Sequence, residues 1–304
     1  MARKASTFTL VGAGAVASTF GLALLGQEWR PIGVFGRTPD SPRARALAEE
    51  LGADAGISLD EACHASDLVL IAVPDVAIHL VAEELALGDA DWSGRMVVHT
   101  SGAHPASFLA PLEQHGARTA AMHPLQSFPG PAQPGALRGA YVTLQGHAAV
   151  TAALRNTLEE IGALAIEVTE SDKVAVHTAA SMISNFTVTV AAMAREVLQT
   201  TGLGEQDVVA MLQPLLAGTV ENIRLRGPER ALTGPIVRGD IPTVERHVEL
   251  LSRQAPHLIT AYVALATETV RVARKTARLT SADAMEILDR VIEALPIPPA
   301  SEED

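Results

Sequence analysis

Three patterns in this chain could do chemistry. The first is Lys173 followed by His177. The sequence holds 20 arginines but only three lysines, Lys4, Lys173 and Lys275. A desolvated lysine can release its proton and an arginine cannot, so a proton-transfer site has reason to use lysine. Lys4 belongs to the N-terminal tail, and Lys275 to a basic run with Arg271, Arg274 and Arg278 that reads as a solvated helix face. Lys173 stands alone. Its other reading is an ordinary lysine at a helix start. His177, four residues on, shares its helix face about 6 Å along the axis. It reads equally as a catalytic group or as a hydrogen-bonded histidine between domains. Ser181 and Asn185 continue the row. Asn185, roughly 18 Å from Lys173, suits the far end of a cleft or a bond to a neighbouring helix.

The second pattern is a pair of loops, Ser101-Gly102 after RMVVHT and His123-Pro124 after a run ending in Met122. A histidine at such a place titrates near neutrality and can orient or deprotonate a substrate hydroxyl. The alternative for His123 is a loop-packing residue locked by Pro124. The third is LTGPIVRGD, residues 232–240, which interrupts helical sequence with two glycines and a proline. Arg238 there could grip a carboxylate at two points, with Thr233 as a further contact. Alternatively, Arg238-Gly239-Asp240 caps the next helix. His64, His79, His115, His147, His247 and His257 read as surface or helix positions. There is no HExxH, CxxC or other metal-ligand spacing.

The elements that must position these groups follow from hydrophobic patterning. Residues 7–11 read as a strand, 12–15 as a glycine turn and 16–25 as a helix. A strand at 31–35 leads into Gly36-Arg37-Thr38, and Ser41-Pro42 opens a helix reaching residue 51. The run DLVLIAV, 67–73, stopped by Pro74-Asp75, suits a strand buried on both faces. Helix 76–87, strand 95–100, helix 106–115 and strand 118–122 follow, then strands 141–144 and 164–168 around a helix at 149–161. This alternation predicts an α/β fold with a doubly wound parallel Rossmann sheet. In a parallel sheet both chemistry-bearing loops emerge at the carboxyl edge. Beyond residue 170 only helical patterns occur, one long helix at 171–200 and others at 206–224, 243–254, 257–277 and 282–295. The expected organisation is a nucleotide-binding domain at 1–169, an all-helical second domain at 170–295 and a disordered tail at 296–304.

Residues 7–26, after Arg3 and Lys4, could also be a signal peptide, the only segment resembling a membrane span. The strand–helix context decides for a nucleotide turn, because removing it would strand the remaining units. Gly12-x-Gly14-x-x-Ala17 is then a dinucleotide fingerprint: Gly12 makes the tight turn, and Gly14 lets a pyrophosphate approach the N–H groups of Ala15 and Val16. Where an NAD enzyme carries an acid after the second strand, this chain has Arg37 and Thr38, suited to a 2′-phosphate. NADP is therefore expected, with Arg43 and Arg45 close enough to help. The plain alternative for Arg37 is a solvated surface arginine. Val73 and Pro74 should line the cofactor between phosphates and nicotinamide.

Composition agrees. Hydrophobic residues are 48% and charged residues 19%, so a sizeable core is available; aromatics are only 3%, so it is aliphatic. A net charge of −12 disfavours nucleic acid. A single cysteine, Cys63, suits a reducing, cytoplasmic setting. No membrane partner is expected.

The segments VGAGAVAS, AVPD, HTSG, MHPLQSFPG, KVAVHTAASMISNF and LTGPIVRGDIPTVERH together resemble a family of Rossmann-like, short-subunit dehydrogenase-like oxidoreductases. That family sits in the group whose helical domain is like that of 6-phosphogluconate dehydrogenase, with ketopantoate reductase, pyrroline-5-carboxylate reductase and prephenate dehydrogenase. The resemblance implies a substrate pocket between domains and a homodimer formed through the helical domain. It also implies Lys followed four residues later by Asn; Lys173 matches, but His177 holds the Asn place. His123-Pro124 and Ser101 look like the histidine and serine loops of prephenate dehydrogenases, although the rest of that signature is missing. Arg238-Gly239-Asp240 with Thr243 and Glu245 is loosely similar to ketopantoate reductase, which implies 2-dehydropantoate. The expectation is NADP-dependent hydride transfer to a small carboxylated ketone or imine. A non-catalytic NADP-binding redox sensor is the alternative.

Overall fold

A computed structural model describes residues 6–54, 56–87, 91–130 and 134–295. The tail at 296–304 lies outside the described residues. The chain divides into two compact units after Ser184. That is one helix later than the sequence boundary at Thr169-Glu170, because the helix carrying Lys173 is bonded to the first unit.

The first unit is built on a seven-stranded sheet. Its strands are β1 (Thr7–Val11), β2 (Arg30–Phe35), β3 (Leu68–Ile71), β4 (Met96–His99), β5 (Arg118–Pro124), β6 (Tyr141–Gly146) and β7 (Leu164–Glu167), in the order β2-β1-β3-β4-β5-β6-β7. Helices α1 (Ala15–Leu25), α2 (Pro42–Leu51), α3 (Leu59–His64), α4 (Asp75–Ala86), α5 (Ala110–Glu113), α6 (Ala148–Ile161) and α7 (Glu170–Ile183) complete it. Side chains alternate across the central strands, as a period of two requires. Phe8, Leu10, Leu68, Leu70 and Val98 enter the core on one face, whereas Val69, Ile71 and Val97 enter the core on the other. β1 is hydrogen-bonded on both sides, to β2 and β3, so residues 7–26 form the strand–turn–helix unit.

Three sequence expectations are corrected. β6 runs antiparallel to β5. A parallel return needs a crossover helix, and here the described part of the connection holds only a 3-10 turn, Pro134–Leu137. The long helix expected at 171–200 breaks at Ser184, which separates α7 from α8 (Asn185–Gln199). The helix at 106–115 is likewise a 3-10 turn, Ala106–Leu109, running into the short α5.

The second unit contains α8, α9 (Glu205–Arg226), α10 (Pro228–Ala231), α11 (Ile241–Gln254), α12 (Ile259–Lys275) and α13 (Ser281–Ile292). Val263, Ala266, Val270 and Ala273 recur at three- and four-residue steps along α12 and meet Val244, Ile287 and Val291 in one core. By contrast, α8 buries no residue and α9 only Val208. The run Glu170–Gln199 is long and apolar enough to cross a membrane by length and composition, and none of its apolar window is buried. By sequence, only residues 7–26 resemble a span.

Candidate functional site

Strand order reverses direction between β1 and β3, and loops at that switch point form the ligand crevice of an open α/β sheet. A cleft opens there, lined by Gly14, Ala15 and Val16 after β1, by Ala72, Val73 and Asp75 after β3, and by Thr100, Ser101 and Gly102 after β4. His123 and Pro124 close β5, and His177 comes from α7. Gly12 has φ +117°, and a Cβ there would lie 2.7 Å from the Ala72 carbonyl carbon. Its N–H donates to the Phe35 carbonyl at 2.7 Å, which ties the turn to the end of β2. Gly14 caps α1 with no side-chain bond, the first turn of α1 has no acid, and nothing lies within 4 Å of where a Gly14 Cβ would be. Bare N–H groups at a helix start beside open space suit a dinucleotide pyrophosphate. Arg37 and Thr38 are exposed on the loop after β2. Arg45 is spent on Asp40, whereas Arg43 is exposed and paired with nothing among the described residues.

The other wall is organised around Ser101. Its hydroxyl donates to Asp75 Oδ2 at 2.9 Å and accepts from the N–H groups of Ala103 (3.3 Å) and His104 (3.1 Å), so its donor and both lone pairs are engaged. The Ser101 carbonyl accepts from Lys173 Nζ at 3.0 Å. The Ser101 N–H donates to His99 Nδ1 at 3.1 Å, and His99 Nε2 faces the Pro105 carbonyl at 3.0 Å. These partners fix His99 as the neutral tautomer with its proton on Nε2. Burial holds its pKa down at about 4.

Lys173 is brought here by α7, whose start is fixed by a capping box between Thr169 and Asp172. It is 2% exposed and lies behind the cleft wall rather than in it. Burial lowers its pKa to about 8, against the pull of Asp75. One turn on, His177 reaches the cleft. Its ring packs edge to face on His123, with centroids 5.4 Å apart. Gly102 makes this possible: a Cβ there would clash with His177 Nδ1 and lie 2.8 Å from His123 Cε1 and Nε2. His177 Nδ1 is buried with no hydrogen-bond partner, which leaves Nε2 as the nitrogen it can offer the cleft. Burial, then His177 and Lys173, push the His123 pKa down to about 4.

Gly14, Ala15, Val16, Val73, Ser101, His123 and His177 thus converge on one crevice, with Gly12 packed against the Ala72 carbonyl and Pro74 as the N-cap residue of α4. Asn185, Thr233 and Arg238 belong to the second unit, and all three are exposed. There Asp240 caps α11 by accepting the Thr243 N–H at 3.3 Å, and Arg238 lies 4.0 Å from it. The capping alternative therefore holds for Asp240. Sequence reasoning assigned no role to Asp75, Gly102, His99 or His104. Asp75 carried a signal, since it directly follows Pro74 at the carboxyl edge. Among the described residues no group of acidic, histidine or cysteine side chains could hold a metal.

The fold and this crevice define the class as a Rossmann-type sheet followed by a helical unit. Residues 2–124 match the Rossmann-like domain family, and residues 140–269 match DUF2520, a domain of unknown function. The chain is similar in structure to protein TM1727 from Thermotoga maritima, with 27% identity, a TM-score of 0.67, and 89% of this chain and 99% of that one covered. An imine reductase from Myxococcus stipitatus, solved with NADP+, aligns at 19% identity and TM-score 0.60, covering 94% and 99%. A reductive aminase from Aspergillus terreus in complex with NADPH and ethyl levulinate aligns at 17% and 0.56, covering 96% and 94%. No curated protein matches the chain in sequence.

Proposed function

We propose that the protein is an NADP-dependent oxidoreductase acting on a small carboxylated ketone or imine. The observation that carries this reading is the crevice itself, with a bare helix start on one side and a pair of imidazoles on the other. The N–H groups of Ala15 and Val16 would hold the pyrophosphate, Val73 and Pro74 would flank the cofactor, and Arg37, Thr38 and Arg43 would take the 2′-phosphate. Bound there, the reduced nicotinamide would supply the hydride. His123 and His177 would meet the substrate, while Lys173 and Ser101 hold that wall in place and set its charge. The NADP complexes of the imine reductase and reductive aminase support the cofactor assignment. Among named substrates 2-dehydropantoate is the first to try, with Arg238, Thr233 and Asn185 as its candidate partners in the second unit. A cytoplasmic setting, where thiols stay reduced, fits buried Cys63.

The test is a titration of the purified protein with NADPH and NADH, then a panel of 2-oxo acids and cyclic imines followed by loss of NADPH absorbance. NADPH is expected to bind at least tenfold tighter than NADH, with Arg37→Ala removing most of that preference, since a two-point phosphate contact is lost. Equal affinity for the two coenzymes overturns the assignment. Tight NADPH binding without turnover across a wide panel favours the redox sensor instead. We also propose a homodimer, supported by the apolar side chains that α8 and α9 leave uncovered.

A further inference from the structure

The charge pattern of the crevice distinguishes two substrate classes that the reductase reading leaves together. A ketone enters neutral and develops negative charge on oxygen as it is reduced. An iminium enters as a cation and loses its charge. A site complementary to the first should present donors and positive charge at the reacting heteroatom, and one for the second should present a free carboxylate.

Here the wall facing the cleft carries two imidazoles, His123 and His177. Directly behind them lies the ammonium of Lys173, buried and bonded to the Ser101 carbonyl at 3.0 Å. Asp75 is the one carboxylate among the described residues lining the cleft. Its Oδ2 accepts the Ser101 hydroxyl at 2.9 Å and faces His104 Nε2 at 3.9 Å, so it serves the loop after β4. The imidazoles are held together deliberately by the fold: only a residue without a side chain at position 102 leaves room for both rings. His177 Nδ1 is sealed against that glycine, which directs the remaining nitrogen to the cleft.

Resting on the reductase reading, we infer that the site is built for a neutral carbonyl and against an iminium, with the His177 imidazole as the group that meets the substrate oxygen. Bound in the crevice, the reduced nicotinamide would supply the hydride that forms the C–H bond at the carbonyl carbon. The C=O π pair would move to oxygen, which accepts a hydrogen bond from His177 Nε2–H and takes its proton from water. Lys173 touches neither substrate nor cofactor; it is a positioning residue whose charge favours the developing alkoxide.

The inference is tested with 2-oxovalerate and N-methyl-1-pyrrolinium-2-carboxylate, which place the same carboxylate beside a neutral carbonyl or a permanent iminium. Calorimetry on the full chain saturated with NADP+ reads binding of each without any turnover. The 2-oxo acid is expected to bind at least tenfold tighter, and Lys173→Met to narrow that ratio severalfold. NADPH consumption, if seen, should follow the 2-oxo acid, with His177→Asn lowering kcat more than it raises KM. Equal or tighter binding of the iminium, or its preferential reduction, overturns the inference and leaves the reductase reading intact. Failure of NADP+ to bind overturns the reading itself, and this inference with it.

Discussion

Protonating His99 would break the arrangement that holds Ser101. Its Nδ1 is a pure acceptor for the Ser101 N–H, and a proton there would set two donors face to face. The folded pKa is about 4 against an ordinary 6.5, for His99 by burial first and for His123 by burial and then His177. Below pH 6.5 the unfolded chain takes up protons that the folded one refuses, so stability is fully present above 6.5 and falls as the pH drops towards 4. For His99, which is fully buried, the loss is on the order of 3 kcal/mol. Urea unfolding from pH 7 to pH 4 should show it; a flat profile would mean these histidines titrate normally. At Gly102 the requirement is space alone. Gly102→Ala should cost about 1–3 kcal/mol through overpacking, and adding His177→Ala should restore only part of it, since the contacts with His123 at 2.8 Å remain. A neutral single variant would show the imidazoles to be looser than described. Residues at this scale were legible where the chain encodes them locally. Gly12 and Gly14 announce a turn, and scarce lysine marks Lys173. Asp75 and Gly102 were not legible, because their partners lie 26 residues away at Ser101 and on a helix from elsewhere in the chain.

Elements bring those distant residues together, and α7 does most of it. Thr169 accepts from the Asp172 N–H, and Asp172 reaches back to the Thr169 N–H and hydroxyl. That box fixes where the first turn starts, and with it the level at which Lys173 meets the loop after β4. Thr169→Ala should therefore cost about 1 kcal/mol and, because the Nζ–carbonyl bond depends on the same register, raise the apparent Lys173 pKa from about 8 towards its ordinary value. A pH titration of stability reads this with its sign. Burial of the charged form penalises the fold below pH 8, so wild type gains stability between pH 8 and 10.5, and Thr169→Ala should gain less. An unchanged gain would detach the cap from the lysine. Most strand and helix identities were legible from period and punctuation, including the switch-point strands, but α3 was not. The antiparallel β6 was not, since direction is set by what connects two strands and not by the strand's own residues. Nor was the stop at Ser184, where φ −99° and ψ −70° interrupt a continuous apolar helical pattern.

At the scale of the whole molecule, the apolar surface of α8 and α9 is out of proportion to what a monomer leaves in water. Phe186 is 57% exposed, Val188 70%, Leu215 68% and Leu225 61%, on helices that pack on each other within the second unit. Large contiguous apolar patches mark interaction surfaces. A second copy of the chain is the partner we propose: the uncovered apolar side chains supply the drive, which must outweigh the repulsion between two chains of net charge −12. The same hydropathy explains why the run Glu170–Gln199 passes a length-and-composition test for a membrane span: such a test weighs apolar content and cannot tell lipid from a protein partner. Sedimentation at micromolar concentration should give a two-chain mass, and Val188→Glu combined with Leu215→Glu should shift it to one chain, since burying two unpaired carboxylates in an interface is strongly unfavourable. The folded monomer should survive that double change, because neither residue belongs to the core around α12. A wild-type monomer at those concentrations would remove the dimer and require some other cover for these helices.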